Sequence, residues 1–229
     1  MLLFSQKTGE SVAILLDGGH LTNVRTAAAG AVVSKYMAPK NVHRIGVFGS
    51  GVQGQMQVEY MKGIVDCKDI IAWGRSDESM AAYKSAMEAQ GYTVETTRDA
   101  EAIASSCNMI ITSTPSKEPL LTADQIRPGT HITAMGSDTP EKVELDPQIL
   151  ANADVLVVDS IPQSKSRGEI AKATEAGAIA EGAATELGVV IQDPSKGRTS
   201  DGQTTIADLT GVAVQDIQIS KAVYKAVSA

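Results

Sequence analysis

The string Gly49-Ser50-Gly51-Val52-Gln53-Gly54 has the residue types and spacing to cradle a pyrophosphate. It follows the apolar run Ile45 to Phe48 and leads into a helical pattern, and a second apolar run, Ile70 to Trp73, closes a strand-turn-helix-strand unit. Each glycine has a separate task in such a unit. Gly49 permits the tight turn, Gly51 lets backbone N–H groups approach the phosphates, and Gly54 lets the helix pack closely on the sheet. The helix that opens at Val52 and Gln53 presents unpaired N–H groups and its positive dipole end to the anion. The chemistry implied is dinucleotide binding.

The end of the second strand bears on which dinucleotide. NAD sites place a carboxylate there to bond the ribose 2′-hydroxyl. Here the residues are Trp73-Gly74-Arg75-Ser76, where Arg75 and the Ser76 hydroxyl are suited to clasp a 2′-phosphate. NADP(H) is therefore favoured, and the adjoining Asp77 and Glu78 keep NAD(H) open.

The elements needed to position these groups follow from periodicity. Ser11 to Leu16 reads as a strand, and Leu21 to Met37 as an Ala-rich helix that Pro39 stops. Beyond the glycine unit, Asp77 to Ala89 is a helix, Tyr92 to Glu95 a strand, Asp99 to Ala104 a short helix, and Met109 to Thr112 a strand. His131 to Met135 and Val155 to Val158 are further apolar runs. After Ser160 the pattern weakens, leaving helical fragments at Arg167 to Ala176 and Ala183 to Leu187, a loop at Asp193 to Arg198, and a final helix through Asp216 to Ser228. This alternation predicts an α/β fold with a doubly wound parallel sheet. The expected division is residues 1–40 as part of a second module plus a connecting helix, 41–200 as the dinucleotide-binding domain, and 201–229 as a segment returning to the second module.

Composition narrows the partners. The chain has 229 residues, 43% apolar and 21% charged, with a net charge of −7. An acidic balance argues against nucleic acid and anionic membranes, which select basic surfaces. Cys67 and Cys107 lie far apart without histidine neighbours, so reduced, buried thiols are expected rather than a disulfide or a zinc site. His20, His43 and His131 are isolated, and no metal site is expected. Polar residues interrupt the apolar start Met1 to Phe4, and no apolar run has transmembrane length, so a cytoplasmic location is expected.

Several ordered motifs resemble those of the ornithine cyclodeaminase/mu-crystallin family. They are Leu21-Thr22-Asn23-Val24-Arg25-Thr26-Ala27-Ala28, the glycine string, Gly136 through Leu145 (GSDTPEKVEL), Arg167-Gly168-Glu169-Ile170, and the tail from Gly197-Arg198-Thr199-Ser200-Asp201 through Thr210-Gly211. The resemblance implies NAD(P)-dependent hydride transfer at the Cα–N bond of a small amino or imino acid, as in ornithine cyclodeaminase, ketimine reductase or alanine dehydrogenase. It also implies a homodimer.

At matching positions, Arg25 would bind the substrate carboxylate and Asp138 would act as the catalytic proton acceptor. Thr210 and Gly211 would return to the substrate, and Thr114, Met135 and Lys142 would lie near the cofactor. By residue type alone, Arg25 also reads as a solvated helix arginine, Asp138 as a turn aspartate and Lys142 as a surface lysine. Leu209 stands where the cyclodeaminases carry a serine, which argues against a strict cyclodeaminase. Relative to that family the chain is N-terminally short, lacking much of the substrate and dimerisation module with its active-site arginine and lysine. The alternative expectation is accordingly a nucleotide-binding protein without turnover.

Overall fold

The computed structural model describes residues 1–228. In chain order the elements are β1 (Leu2–Phe4), β2 (Ser11–Ile14), α1 (His20–Met37), β3 (Ile45–Phe48), α2 (Val52–Tyr60), β4 (Asp69–Trp73), α3 (Asp77–Glu88), β5 (Thr93–Thr97) and α4 (Ala100–Ser106). There follow β6 (Met109–Thr112), β7 (His131–Ala134), α5 (Pro147–Ala151), β8 (Val155–Val158), α6 (Ile161–Ser164), α7 (Gly168–Glu175), β9 (Thr185–Glu186), α8 (Leu187–Gln192), β10 (Thr205–Asp208) and α9 (Ala213–Val227).

Eight strands form one parallel sheet in the order β5-β4-β3-β6-β7-β10-β8-β9. The strand order reverses between β3 and β6, and the glycine turn leaves β3 at that switch point. Ligands of open α/β sheets bind in the crevice outside the strand ends at this place. The expected doubly wound sheet is present.

Register divides the core between the two faces. Gly46, Ile71, Ile110, Ile132, Ile206 and Leu156 align across six strands. With Ile103 of α4 and Ile149 and Leu150 of α5 they form one core. The opposite face packs Val47, Ile70 and Ile111 against Tyr83 and Met87 of α3. Further along that face, Val33 and Met37 of α1 meet Val157, Ala207 and Leu209. Close approach of α1 and α2 depends on Gly30, where a Cβ would sit 1.8 Å from the Gln57 side-chain oxygen. The Gln57 amide in turn donates to the Thr26 carbonyl at 3.1 Å.

Three sequence expectations change. The segment Thr205 to Asp208 was placed beyond the dinucleotide-binding domain, yet β10 lies inside the sheet between β7 and β8. A division after residue 200 therefore cuts the sheet, which ends at Asp208. This strand is short and ends on an aspartate, so its apolar signal is weak, and parallel pairing on both edges makes it a strand. Ala183 to Leu187 is not helical throughout: Thr185 and Glu186 pair with Val157 and Val158, and the helix starts only at Leu187. The C-terminal helix begins at Ala213, ahead of the expected Asp216.

Outside the sheet, β1 and β2 form an antiparallel hairpin whose first strand packs on α9, and α9 packs on α1. The loop Gly197 to Asp201 has a structural task. The Arg198 guanidinium donates to the Met37 carbonyl at 2.7 Å and to Thr205 Oγ1 at 3.0 Å, tying the end of α1 to β10. His131 is fully buried between Thr205 Oγ1 (2.8 Å) and Thr133 Oγ1 (2.9 Å), and burial pushes its imidazole down to about 3. Both cysteines are free and buried. No helix among the described residues is long and apolar enough to cross a membrane.

Candidate active site

The glycine turn has the shape a pyrophosphate requires. Gly49 has φ +112°, a region L side chains rarely adopt, and a Cβ there would meet the Ser113 carbonyl at 2.8 Å. At Gly54 a Cβ would lie 1.9 Å from the Gly49 carbonyl oxygen, so helix and turn touch only through a glycine. Gly51 differs from both. It has ordinary extended backbone, and nothing in the protein lies within 4 Å of where its Cβ would be. That open space sits at the N-terminus of α2, where no side chain caps the helix. A groove of about 320 Å³ joins this turn to Trp73, Gly74, Arg75 and Ser76 on one side and to Ser113 and Thr114 on the other. An empty cradle beside free N–H groups fits a dinucleotide phosphate.

Two side chains that follow β4 have duties besides any ligand. Ser76 caps α3, its Oγ accepting from Ser79 N at 3.1 Å. Asp77 is engaged by Arg98 at 2.8 Å, while the exposed Arg75 has no ion-pair partner among the described residues. Of the two acids that keep NAD(H) open, Asp77 is thus paired at the surface and Glu78 is exposed.

Beyond the turn, a second cavity of about 230 Å³ is lined by Arg25, Gln53, Met135, Asp138, Thr210 and Gly211. The fold thus brings together six of the residues singled out from sequence, drawn from α1, α2, the loop after β7 and the loop after β10. Gln53 Nε2 donates to the Asn23 side-chain oxygen at 3.1 Å and so clamps α2 to α1. Val52 is exposed at the first turn of α2. Arg25 lies against Gly211, where a Cβ would come within 3.0 Å of Nη1. Its Nε donates to Asp216 at 3.2 Å and its Nη1 to Gln215 at 3.2 Å, both on α9. Nη2 makes no hydrogen bond among the described residues. Asp138 is 57% exposed, and its Oδ1 accepts from Lys142 Nζ at 2.6 Å. Lys142 is therefore the partner of Asp138.

The Thr210-Gly211 turn is fixed from below. Asp159 accepts from Thr210 Oγ1 at 3.1 Å and from Gly211 N at 2.7 Å, while Gln163 Nε2 donates to the Gly211 carbonyl at 2.6 Å. Asn23, Asp159, Gln163, Gln215 and Asp216 were not singled out from sequence. Asn23 stands in the Leu21–Ala28 motif with no role assigned to it, and nothing in the spacing of the other four marks them, since each reaches the site through tertiary packing.

Under the site lie three buried carboxyls, Glu144, Glu169 and Asp208. Glu169 accepts from Ser137 Oγ, from Glu144 N at 2.9 Å and from Leu145 N at 3.0 Å. Asp208 accepts from Ile170 N at 2.9 Å. Burial raises all three, with Glu169 pushed up to about 7 from 4.5, and Asp208 held well above its usual range. A carboxyl raised on folding binds its proton more tightly in the native state, so its stabilisation is complete below pH 4.5 and is lost as pH rises to about 7. A shift of this size corresponds to about 3 kcal/mol. Unfolding free energy, followed by urea titration, should fall across that window, and Glu169→Gln should flatten the fall. An equally steep profile in the variant would contradict this assignment.

A larger cavity of about 530 Å³ lies away from the glycine turn, between α6, α7 and residues 181–184. Its two lysines, Lys165 and Lys172, are paired with Glu181 and Glu175, so it offers no unpaired lysine to an anion.

A doubly wound sheet with a glycine turn at its switch point and a pocket lined by arginine and aspartate beyond it has the architecture of the dinucleotide-binding α/β folds. The chain belongs to the ornithine cyclodeaminase/mu-crystallin family, whose sequence pattern matches residues 1–229. An archaeal alanine dehydrogenase dimer with bound NAD is 37% identical, matching 98% of this chain and 69% of that one with a TM-score of 0.91. The iminosuccinate reductase of Paracoccus denitrificans, solved with NAD+, is 35% identical over 98% of this chain and 68% of that one, with a TM-score of 0.87. The Δ1-pyrroline-2-carboxylate reductase of Thermococcus litoralis, in complex with NADH and L-proline, is 27% identical over 98% of this chain and 70% of that one, with a TM-score of 0.92.

Proposed function

We propose that the chain catalyses NAD(P)-dependent hydride transfer at the Cα–N bond of a small amino or imino acid. The observation that carries this reading is the convergence of Arg25 and Asp138 on one cavity beside the phosphate cradle. The bound nicotinamide supplies the hydride acceptor in oxidation and the donor in reduction. Arg25 holds the substrate carboxylate through its uncommitted Nη2 edge, as a planar guanidinium does. Asp138 takes a proton from the substrate ammonium on its free Oδ2, and Lys142 keeps Oδ1 in place. Thr210 and Gly211 close the pocket against Arg25, and Met135 floors it. Thr114, with Gly49, Gly51 and Gly54 and the N–H groups of Val52 and Gln53, lines the path of the cofactor. The hairpin β1–β2 and α9 belong to the substrate and dimerisation module, and Leu2, Phe4 and Ile14 of the hairpin are exposed.

The test is steady-state turnover by this chain with NADH and NADPH, offering pyruvate plus ammonium, iminosuccinate and Δ1-pyrroline-2-carboxylate as substrates. A second reading, nucleotide binding without turnover, is favoured by the pairing of Arg25 with Asp216, which occupies part of the cation. Binding of NADPH with no turnover of any of these substrates would support it.

The coenzyme preference is NADP(H), read by Arg75. A charge-assisted contact to a 2′-phosphate contributes about 1.5–3 kcal/mol, so Arg75→Ala should weaken NADPH binding by roughly one to two orders of magnitude. NADH affinity should stay unchanged in the same calorimetric titration. Equal losses for both coenzymes would show that Arg75 does not read the phosphate.

A further inference from the structure

The loops that leave β6 and β7 meet under the cavity, and one buried side chain joins them. Glu144 Oε1 accepts from Thr114 N at 2.6 Å and from Thr114 Oγ1 at 2.7 Å, both on the loop after β6. Its Oε2 accepts from Gly136 N at 2.9 Å, on the loop after β7, and from Thr112 Oγ1 at 2.6 Å. The fit is tight: a Cβ on Gly136 would come within 2.3 Å of the Thr114 carbonyl and 2.5 Å of the Glu144 carboxyl. Glu144 is itself held by Glu169, which accepts its main-chain N–H and the Ser137 hydroxyl. All four donors to Glu144 are neutral groups. Burying a carboxyl without a cation costs more than an apolar side chain of similar size would, so stability alone does not account for its presence. It does set the separation of two loops, one carrying Thr114 and the other Asp138.

We propose that Glu144 is a positioning residue for the nicotinamide end of the cofactor site. By joining Thr114 to Gly136 it fixes the gap between the phosphate cradle and the Asp138 pocket, into which the second half of a dinucleotide must reach. This rests on the reading given under Proposed function. The adenosine half would lie over Gly51 and Arg75, on the side of the groove opposite Thr114.

The chemistry of the contact makes the isosteric variant informative. Each carboxyl oxygen faces one backbone N–H, so Glu144→Gln must set its amide N–H₂ against the N–H of either Thr114 or Gly136, whichever way it turns. One buried backbone N–H, on one of the two loops, is left without its acceptor.

The test compares NADH with ADP-ribose, which lacks the nicotinamide, by calorimetry on the full chain. Glu144→Gln should bind ADP-ribose within about twofold of the parent protein and NADH about tenfold more weakly, the loss expected when one buried donor is left unpaired. Retention of the parent's NADH affinity, or equal losses for both ligands, overturns the proposal. Should Glu144→Gln fail to fold, Thr112→Val removes one donor and keeps the shape. It should weaken NADH by about threefold and leave ADP-ribose unchanged, as expected for one lost hydroxyl contact, and an unchanged NADH affinity overturns the proposal there too. A parent protein that binds ADP-ribose as tightly as NADH has no nicotinamide subsite, which refutes the functional reading together with this one. A parent that prefers NADH and a variant that keeps the preference refute only the role of Glu144.

Discussion

Asp138→Asn lowers turnover by roughly 10² to 10⁴ while leaving coenzyme affinity within a factor of about two, if the carboxylate is the proton acceptor. The amide keeps the shape of the side chain and removes its basicity. The variant also turns the ion pair with Lys142 at 2.6 Å into a neutral hydrogen bond, but this pair is at the protein surface, with Asp138 57% exposed, so folding should be unaffected. Turnover of the best substrate and NADPH binding, measured on the same preparation, separate the chemical effect from the binding effect. Unchanged turnover would refute the assigned role. A parallel fall in turnover and coenzyme affinity would instead place Asp138 in the cofactor site.

Gly51→Val abolishes nucleotide binding and leaves the melting temperature where it is. The structure makes this a clean test, because the Gly51 backbone has ordinary angles and nothing lies within 4 Å of the new Cβ. The added Cβ meets no protein atom beyond its chain neighbours, and it stands where a ligand would approach the N–H groups of α2. Loss of those charge-assisted contacts to a pyrophosphate should weaken NADPH by roughly 100-fold or more. Gly54 would not serve, since a Cβ 1.9 Å from the Gly49 carbonyl breaks the turn itself. Undiminished affinity in a folded Gly51→Val protein would remove the glycine turn from the binding site.

The two residues differ in how they could be found. Gly51 is legible locally, because the strand, the turn and the helix that give it meaning are contiguous in the chain. Asp138 follows an apolar run, and only resemblance to a family separated it from any other turn aspartate. The strand β10 was missed although it lies in the middle of the sheet. Its four residues, Thr205 to Asp208, carry two polar side chains that are buried and satisfied by neighbours distant in sequence, Met37 and Ile170. The same reason hides Asp159 and Gln163, which act on Thr210 and Gly211 from about fifty positions away, with separations of 51, 52 and 48 for their hydrogen bonds.

The sequence by itself determined the parallel α/β architecture, the glycine turn and the place of Arg75 at the end of the second strand, because each rests on near-neighbour periodicity and backbone chemistry. Only the tertiary structure decided that Arg25 and Asp138 share one cavity and that Glu144 ties the two loops beneath them. Those arrangements depend on the order of strands in the sheet, which sets β6 between β3 and β7 and β10 between β7 and β8. Strand order is fixed by packing and hydrogen bonding among segments far apart in the chain, so local pattern carries almost no record of it.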